Sequence, residues 1–429
     1  MPKFVVEGGY PLRGVIRPAG NKNAALPVLA ATLLTDEPVV LDNVPDIRDV
    51  RTLLELLGRL GAHSEWLGPN RLRIHAQEVS ASELEPSLAA RIRASILLAG
   101  PMLARVGRML LPLPGGDVIG RRRVDTHFLA LSRLGAHVES VGGYRIETEG
   151  LRGADVFLDE PSVTATENAL MAAVLARGTT RLRNAAAEPH VQDLCHMLCA
   201  MGARISGIGT HILEIEGVDR LHGCEFRIGS DHIEVGSFIG LAAVTRGEIT
   251  IRDAAVEHLD STLLAFERLG IRCEVQGDDL FVPADQDREI RMDLGGHIPK
   301  IDDGPWPAFP ADLTSIALVV ATQCRGTILI HEKMFESRMF FADKIIGMGA
   351  RIVLCDPHRA VVVGPSRLHA GVVESPDIRA GMALLIAALG AEGQSHIFNI
   401  GQIERGYERI DERLIELGAR IERYDSREP

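Results

Sequence analysis

Apolar and polar positions along this chain follow one pattern that recurs six times. Amphipathic helical stretches, such as residues 50–60 and 409–417, end in a short phrase: Leu60-Gly61-Ala62, Leu134-Gly135-Ala136, Met201-Gly202-Ala203, Leu269-Gly270-Ile271, Met348-Gly349-Ala350 and Leu417-Gly418-Ala419. The glycines stand 74, 67, 68, 79 and 69 residues apart. A glycine just past the last apolar position of a helix is where a left-handed stop belongs. Each copy therefore predicts a helix end followed by a strand, as at Ala203-Arg204-Ile205.

A second phrase keeps step with the first, a turn followed by a β-rich run with a polar end. It is read at Glu37-Pro38-Val39-Val40-Leu41-Asp42-Asn43, Gly178-Thr179-Thr180-Arg181-Leu182-Arg183-Asn184, Gly247-Glu248-Ile249-Thr250-Ile251-Arg252-Asp253 and Gly326-Thr327-Ile328-Leu329-Ile330, with weaker versions from Gly107 and Gly393. Helices of small residues precede several copies, as at residues 165–176 and 381–389. Each unit reads helix, strand, helix, strand, strand. At roughly 70 residues it is too long for the common solenoid repeats and carries none of their signatures. Six such units fit two globular α/β lobes of three units each.

Composition narrows the class. The 429 residues are enough for two or three domains, and 46% hydrophobic with 24% charged residues fits a soluble globular enzyme. The longest apolar runs, at residues 95–106 and 381–390, fall far short of a membrane span. The N-terminal stretch lacks a basic segment followed by an apolar one, so a cytoplasmic location is expected. Cysteines at 195, 199, 224, 273, 324 and 355 read as reduced side chains. Cys195 and Cys199 flank His196, but no second ligand pair follows at a metal-binding spacing, so a buried pair and no metal is the expectation. A net charge of −12 with only 4% aromatic residues argues against nucleic acid as partner. An anionic ligand would need arginines gathered locally against the overall field.

No phosphate loop, dinucleotide fingerprint, metalloprotease helix or nucleophile elbow is present. What remains is a set of charged residues in turn-like contexts. Lys22 lies between Asn21 and Asn23 before an apolar helix at residues 24–33, where an anion could meet a helix N-terminus. Arg121, Arg122 and Arg123 follow a Pro-Gly-Gly turn, and Arg338, Arg379 and Arg405 occur near the starts of helical stretches. Asp117 and Asp312 are the acidic candidates, although a prolyl loop ending in Asp is often only a helix cap. Residue by residue, this defines an anion-handling α/β enzyme and no more.

Longer motifs carry a resemblance. Gly20-Asn21-Lys22-Asn23-Ala24-Ala25-Leu26-Pro27, Leu113-Pro114-Gly115-Gly116-Asp117-Val118-Ile119-Gly120 with Arg122-Arg123-Val124-Asp125, Ala165-Thr166-Glu167-Asn168, Phe309-Pro310-Ala311-Asp312 and Glu404-Arg405-Gly406-Tyr407-Glu408 resemble the UDP-N-acetylglucosamine enolpyruvyl transferase family, in colinear order from residue 3 to about residue 423. The resemblance implies a two-lobed inside-out α/β barrel built from six βαβαββ repeats. Residues 1–22 and 231–429 would form the lobe with the general base and arginine clamp, and residues 23–230 the lobe with a mobile Pro-Gly-Gly-Asp lid.

It also implies transfer of the enolpyruvyl group of phosphoenolpyruvate to UDP-N-acetylglucosamine, a step of peptidoglycan precursor synthesis. No cofactor or metal is called for, and the protein would be a monomer or weak homo-oligomer. Lys22, Arg122 and Arg405 would contact phosphoenolpyruvate, with Arg338 and Arg379 completing the clamp. Guanidinium forks match carboxylate and phosphate bidentately. Asp312 would accept the acceptor's proton, and Asp377 would help stabilise a cationic stage. Asn23 would fix the sugar. Arg93, Arg122, Arg123, Val124, Asp125, Ser162, Val163 and Thr164 would hold the nucleotide, and Met334 and Phe335 would wall the site. Closure of the lobes would exclude water.

The chain departs from the family at its lid, where Asp117 stands in place of the usual cysteine. An aspartate can still deliver a proton if its site raises its pKa, but it is a poorer nucleophile than a thiolate. Resistance to the epoxide antibiotic fosfomycin follows. Near the acceptor, Asn21, Thr164, His232, Ala311, Thr314 and Ser337 replace a small residue, glycine, arginine, threonine, glutamine and asparagine. These leave room for another uridine nucleotide such as UMP as acceptor, or for a non-catalytic sugar-nucleotide-binding paralogue. Shikimate 3-phosphate fits less well, because the Lys-Asn and Arg-x-Val-Asp motifs belong to the sugar-nucleotide branch.

Overall fold

The computed structural model describes residues 2–116, 119–120, 122–140 and 142–425. All six predicted helix stops are present. Gly61, Gly135, Gly202, Gly270, Gly349 and Gly418 have φ between 74° and 109°, a region closed to most side chains but open to glycine. In each copy the next residue's N–H reaches back across the last turn: Ala62 to Leu57 O, Ala136 to Leu131 O, Ala203 to Leu198 O, Ile271 to Phe266 O, Ala350 to Ile345 O and Ala419 to Leu414 O, all at 2.9–3.1 Å. This six-to-one bond is the Schellman stop, and it turns the chain straight into the following strand.

The second phrase forms the strands Val39–Asp42, Thr179–Arg183, Glu248–Ile251 and Gly326–His331, and its weaker copies form Arg108–Leu111 and Gly393–Phe398. Its polar end has a geometric purpose. Asn43, Asn184 and Asn399 adopt φ of 57–59°, and their amides donate to the carbonyls of Ile228, Leu158 and Ser375 at 2.9–3.0 Å. Each asparagine thus ties its strand to the end of the parallel strand beside it.

One unit, read complete along the chain, shows the plan. Asp155–Phe157 runs parallel to Thr179–Arg183, which pairs antiparallel with Ile212–Glu216, and that strand pairs with Arg204–Ser206. The helices Val163–Ala173 and Pro189–Ala200 fill the connections. Lys300–Asp302, Gly326–His331, Arg359–Gly364 and Ile352–Asp356 repeat it. In a third sheet the last strand is supplied by the N-terminal Lys3–Gly8, between Gly393–Phe398 and Arg420–Tyr424. Two sheets take their first strand from across the sequence: Arg13–Ile16 beside Glu248–Ile251, and Glu225–Arg227 beside Val39–Asp42. The sixth keeps three strands, its first reduced to the single bridge Glu83–Leu110.

The chain divides into two compact units: Met1–Ala19, Val118–Arg121 and Ser230–Pro429 in the first, Gly20–Asp117 and Arg122–Gly229 in the second. Gly20, Asn21 and Lys22 thus group with the second unit and Ser230 with the first. In the first unit the Glu234 carboxylate accepts from Ala19 N (2.6 Å) and from both terminal nitrogens of Arg413 (2.7 and 3.0 Å), which holds the chain where it leaves that unit.

Within each unit the layers are inverted relative to an ordinary α/β sheet. In the first, His232–Thr245, Thr314–Ala321 and Ile378–Gly390 pack on one another. They are buried on all sides, as helices apolar all round must be. Close approach needs small residues: a Cβ added at Gly236 would lie 2.5 Å from Leu313 Cδ1. In the second unit Ala99–Val106 packs on Val163–Ala173, which also meets Lys22–Ala31. The sheets lie outside, one face buried and one wet, as in the alternating burial of Ile212–Glu216. The inside-out barrel of βαβαββ repeats is therefore borne out. No helix among the described residues is long and apolar enough to cross a membrane.

Helix Arg48–Leu60 offers a paired test, because Gly58 has nothing within 4 Å of an added Cβ, whereas Gly61 has φ 109° and Glu78 O at 2.6 Å. Gly58→Ala should stabilise by about 0.5–1 kcal/mol and Gly61→Ala destabilise by more than about 1 kcal/mol in urea denaturation. Effects of the same sign would contradict the assignment of Gly61 as an obligatory stop.

Candidate functional site

In the first unit, Asp312 occupies the 3-10 turn Ala311–Leu313, between Pro310 and helix Thr314–Ala321. Its carboxylate is not a helix cap. Oδ1 accepts from Arg338 Nη2 at 2.6 Å and Oδ2 from Arg379 Nε at 2.9 Å. The three side chains are 23%, 11% and 5% exposed respectively, so water screens the pairs little. Arg338 opens the turn Arg338–Phe341 and lies over the Phe335 ring at 4.9 Å. Arg379 is the second residue of Ile378–Gly390 and lies over the Tyr407 ring at 5.4 Å; that tyrosine's hydroxyl is 2.9 Å from Ser237 Oγ.

Burial by itself would loosen the protons of Arg338 and Arg379. Burial is the largest single influence on both arginines, but the neighbouring groups together outweigh it and hold the proton more tightly, Asp312 foremost, helped by Asp377 at Arg338 and by Tyr407 and Asp231 at Arg379. Both remain cationic in a dry site.

Asp377 is the N-cap of Ile378–Gly390, accepting from Arg379 N (2.8 Å) and Ala380 N (2.9 Å), which sets Arg379 in place. Arg405, expected near a helix start, instead closes the turn Ile400–Arg405 and donates to Gln402 Oε1 at 3.0 Å. Met334 is 39% exposed, and its N–H donates to Asp303 Oδ2 at 3.3 Å. His232 is buried and makes edge-on contacts with His258 and Trp306 at 6.4 and 6.1 Å. Burial first, then His258 and Arg379, push it down to about 3, so it stands as a neutral ring where the resembled family has a cation. Ser337 N–H donates to Ile119 O at 3.1 Å. Asp117 and Arg121 lie outside the described residues.

In the second unit Lys22 begins helix Lys22–Ala31, two residues before the stretch read from sequence. The reason is Asn21, whose side chain accepts from Asn23 N and Ala24 N and caps the helix. This also accounts for Asn21 as a departure from the family pattern. Lys22 forms a buried ion pair with Asp49 at 2.9 Å, both side chains under 10% exposed. Sequence reasoning missed Asp49, which reads there as one polar position of an amphipathic helix.

A second group surrounds two helix starts. Arg93 Nη2 donates to the carbonyls of Arg122 (2.8 Å) and Arg123 (3.0 Å). Arg123 itself is taken by Asp125 at 3.2 Å and Asp159 at 3.0 Å. Val124 and Asp125 start the helix Asp125–Arg133, and Ser162 caps Val163–Ala173. Thr164 packs into this frame: its Oγ1 is 3.0 Å from His127 Nε2. Asn168 Oδ1 accepts from Gly100 N, so its amide nitrogen donates to Ile96 O and to His127 Nδ1 at 2.9 Å. Nδ1 is therefore the acceptor, and Nε2–H donates to Thr164. Burial pushes His127 down to about 3 and keeps it neutral. Thr164 is thus a structural substitution, joined to a histidine far off in sequence.

The described cysteines are all unbridged, and burial raises the Cys195 thiol. Among the described residues no cluster of three or more His, Cys, Asp or Glu side chains is arranged to hold a metal.

An inside-out fold, an aspartate gripped by two buried arginines and a pair of helix starts beside Arg93 and Arg122 define a class. Residues 6–414 match the model of the EPSP synthase (3-phosphoshikimate 1-carboxyvinyltransferase) family, and the chain belongs to it. Within that class the chain is 63% identical over 425 residues to the UDP-N-acetylglucosamine 1-carboxyvinyltransferase of Bradyrhizobium diazoefficiens, covering 99% of each. It is 57% identical over 422 residues to the enzyme of that name from Treponema denticola, covering 98% of this chain and 99% of the other. Among solved structures, the enolpyruvyl transferase NikO from Streptomyces tendae aligns with a TM-score of 0.88 at 25% identity, covering 99% of each chain. The resemblance carried by the motifs is borne out.

The Lys22–Asp49 pair can be tested directly. Asp49→Ala leaves an ammonium buried beside its lost partner and should destabilise by about 3 kcal/mol in chemical denaturation. A loss below about 1 kcal/mol would show that Lys22 does not depend on Asp49.

Proposed function

We propose that this protein transfers the enolpyruvyl group of phosphoenolpyruvate to the 3-hydroxyl of UDP-N-acetylglucosamine, releasing phosphate, the first committed step of peptidoglycan precursor synthesis. The observation that carries this reading is Asp312, half-buried and held by Arg338 and Arg379. A base beside two fixed cations suits a reaction in which a hydroxyl loses its proton while a highly charged donor is bound. Relatives of that name at 51–63% identity over nearly the whole chain support the acceptor.

In this reading Lys22, Arg122, Arg338, Arg379 and Arg405 neutralise the phosphate and carboxylate of the donor. Asn23 and Asp312 hold the sugar. Arg93, Arg123, Val124, Asp125, Ser162, Val163 and Thr164 hold the uridine diphosphate, where two helix starts favour an anion. Met334 and Phe335 wall the site. Asp312 takes the 3-hydroxyl proton as that oxygen bonds to C2 of the donor, and Asp117, on the Pro-Gly-Gly-Asp lid, delivers a proton to C3. The resulting tetrahedral ketal loses a C3 proton and phosphate, restoring the vinyl group. Asp377 acts through Arg379, which it caps in place, and adds its charge at the cationic stage. The protein works in the cytoplasm as a monomer or weak homo-oligomer.

Purified protein should release phosphate from phosphoenolpyruvate only when UDP-N-acetylglucosamine is present, and Asp312→Ala should lower kcat by about 10²–10⁴-fold. Release with UMP alone as acceptor would move the protein to another branch of the family, and silence with both would end the enzymatic reading. Fosfomycin should leave the wild-type protein unlabelled by mass spectrometry, and Asp117→Cys should acquire one covalent adduct. An adduct on Asp117 would refute the resistance assigned to it.

A further inference from the structure

Beside Arg338 lies a second carboxyl, Glu332, that the proposed chemistry does not use. Glu332 follows the strand Gly326–His331 at the position where three other units carry their left-handed asparagine. Its backbone is fixed by His358, whose carbonyl accepts from Glu332 N (2.8 Å) and whose Nδ1 is 2.8 Å from Glu332 O. Its side chain is wholly buried, and neither carboxyl oxygen has a hydrogen-bond partner. Three groups face it: Asp303 from beyond the strand Lys300–Asp302, Thr314 from the helix after Asp312, and Arg338. Thr314 Oγ1 and Arg338 Nε are themselves buried without partners.

We propose that Glu332 is a positioning residue for Arg338: as a buried neutral acid it leaves that guanidinium's charge to Asp312 and the anionic donor, and ionised it would draw the charge away. The proposal rests on the function given above for Asp312 and Arg338.

The two adjacent buried acids are not equivalent. Asp303 accepts from two backbone donors, Lys333 N and Met334 N (3.3 Å). Glu332 has no backbone donor and lies against the side chains of Asp303 and Thr314. Burial, opposed by Arg338 and reinforced by Asp303, holds its proton well above the ordinary carboxylate range. Arg338 also interacts with Asp377 and donates to Asp312 through Nη2. A second ionised carboxyl beside the guanidinium would compete with Asp312 for it.

Thermal stability distinguishes this from an ordinary ion pair. An acid kept protonated in the native state ionises first in the unfolded chain. Stability therefore falls as pH rises from the ordinary carboxylate value toward the raised native one. Glu332→Gln removes that loss, so its Tm should match wild type near pH 4.5 and exceed it near pH 8. A Tm below wild type near pH 8 would mean an ionised, paired Glu332 and would overturn the proposal.

Kinetics reads the positioning role. The Gln variant should keep kcat/KM for phosphoenolpyruvate within about threefold of wild type near pH 7 and lose the wild-type decline at alkaline pH. A shared alkaline decline would overturn it. Should the Gln variant not fold, Glu332→Asp takes its place: the wild-type infrared spectrum should hold, near neutral pH, a protonated-carboxyl stretch that this substitution shifts or removes and that vanishes on alkaline titration, separating it from the other buried acid, Glu167. Its absence near neutral pH would overturn the proposal. The Tm and infrared results do not depend on turnover, so a protein that fails the phosphate-release assay would refute the function and leave these measurements readable.

Discussion

The first unit is arranged around one constraint, a carboxylate that must stay ionised in a place largely closed to water. Taking Asp312, Arg338 and Arg379 out of solvent costs several kcal/mol per ion, offset only where geometry is good and the charges meet. Here each carboxylate oxygen has its own guanidinium. Each guanidinium also lies over an aromatic ring, Phe335 or Tyr407, a contact that favours a cation out of water. The arrangement leaves Arg338 Nε and Arg379 Nη1 without partners. Unpaired buried donors are costly to fold around.

The fold supplies the positions. Three apolar helices packed at the centre of the unit place their N-terminal ends, and the residues just before them, in fixed relation. Asp312 precedes one, Arg379 opens another under its Asp377 cap, and Asp231 caps the third. The close fit of Gly236 against Leu313 holds the turn that carries Asp312. Asp377, as the cap of Ile378–Gly390, aims Arg379.

What the sequence disclosed and what it hid follow from the range of the interactions. Helix stops and strand ends depend on residues next to one another, so Gly61 and its five counterparts, and Asn43, Asn184 and Asn399, are legible in the order of residues alone. The inside-out layering was legible only through family resemblance, because a chain that leaves a unit and rejoins it supplies strands such as Arg13–Ile16 to sheets more than 200 residues away and no local pattern reports it. Partners separated in sequence stayed hidden. Asp49 under Lys22, His127 under Thr164 and Glu332 beside Arg338 are ordinary polar positions until the fold brings them together. Arg405 was misplaced relative to its helix because a 3-10 turn and a left-handed Arg409 intervene before Ile410–Glu416. Two of the acceptor-side departures, Asn21 and Thr164, have structural explanations as a helix cap and a histidine partner, which weakens them as signs of a different acceptor.

The central claim is that Asp312 is the base and its two arginines serve the donor anion. The most direct measurement is the structure of the Asp312→Asn protein with phosphoenolpyruvate and UDP-N-acetylglucosamine both bound. The account predicts the sugar's 3-hydroxyl within hydrogen-bond distance of the residue 312 carboxamide, with Arg338 and Arg379 on the donor's anionic groups. A 3-hydroxyl directed at another acid, with both arginines still turned to residue 312, would contradict it.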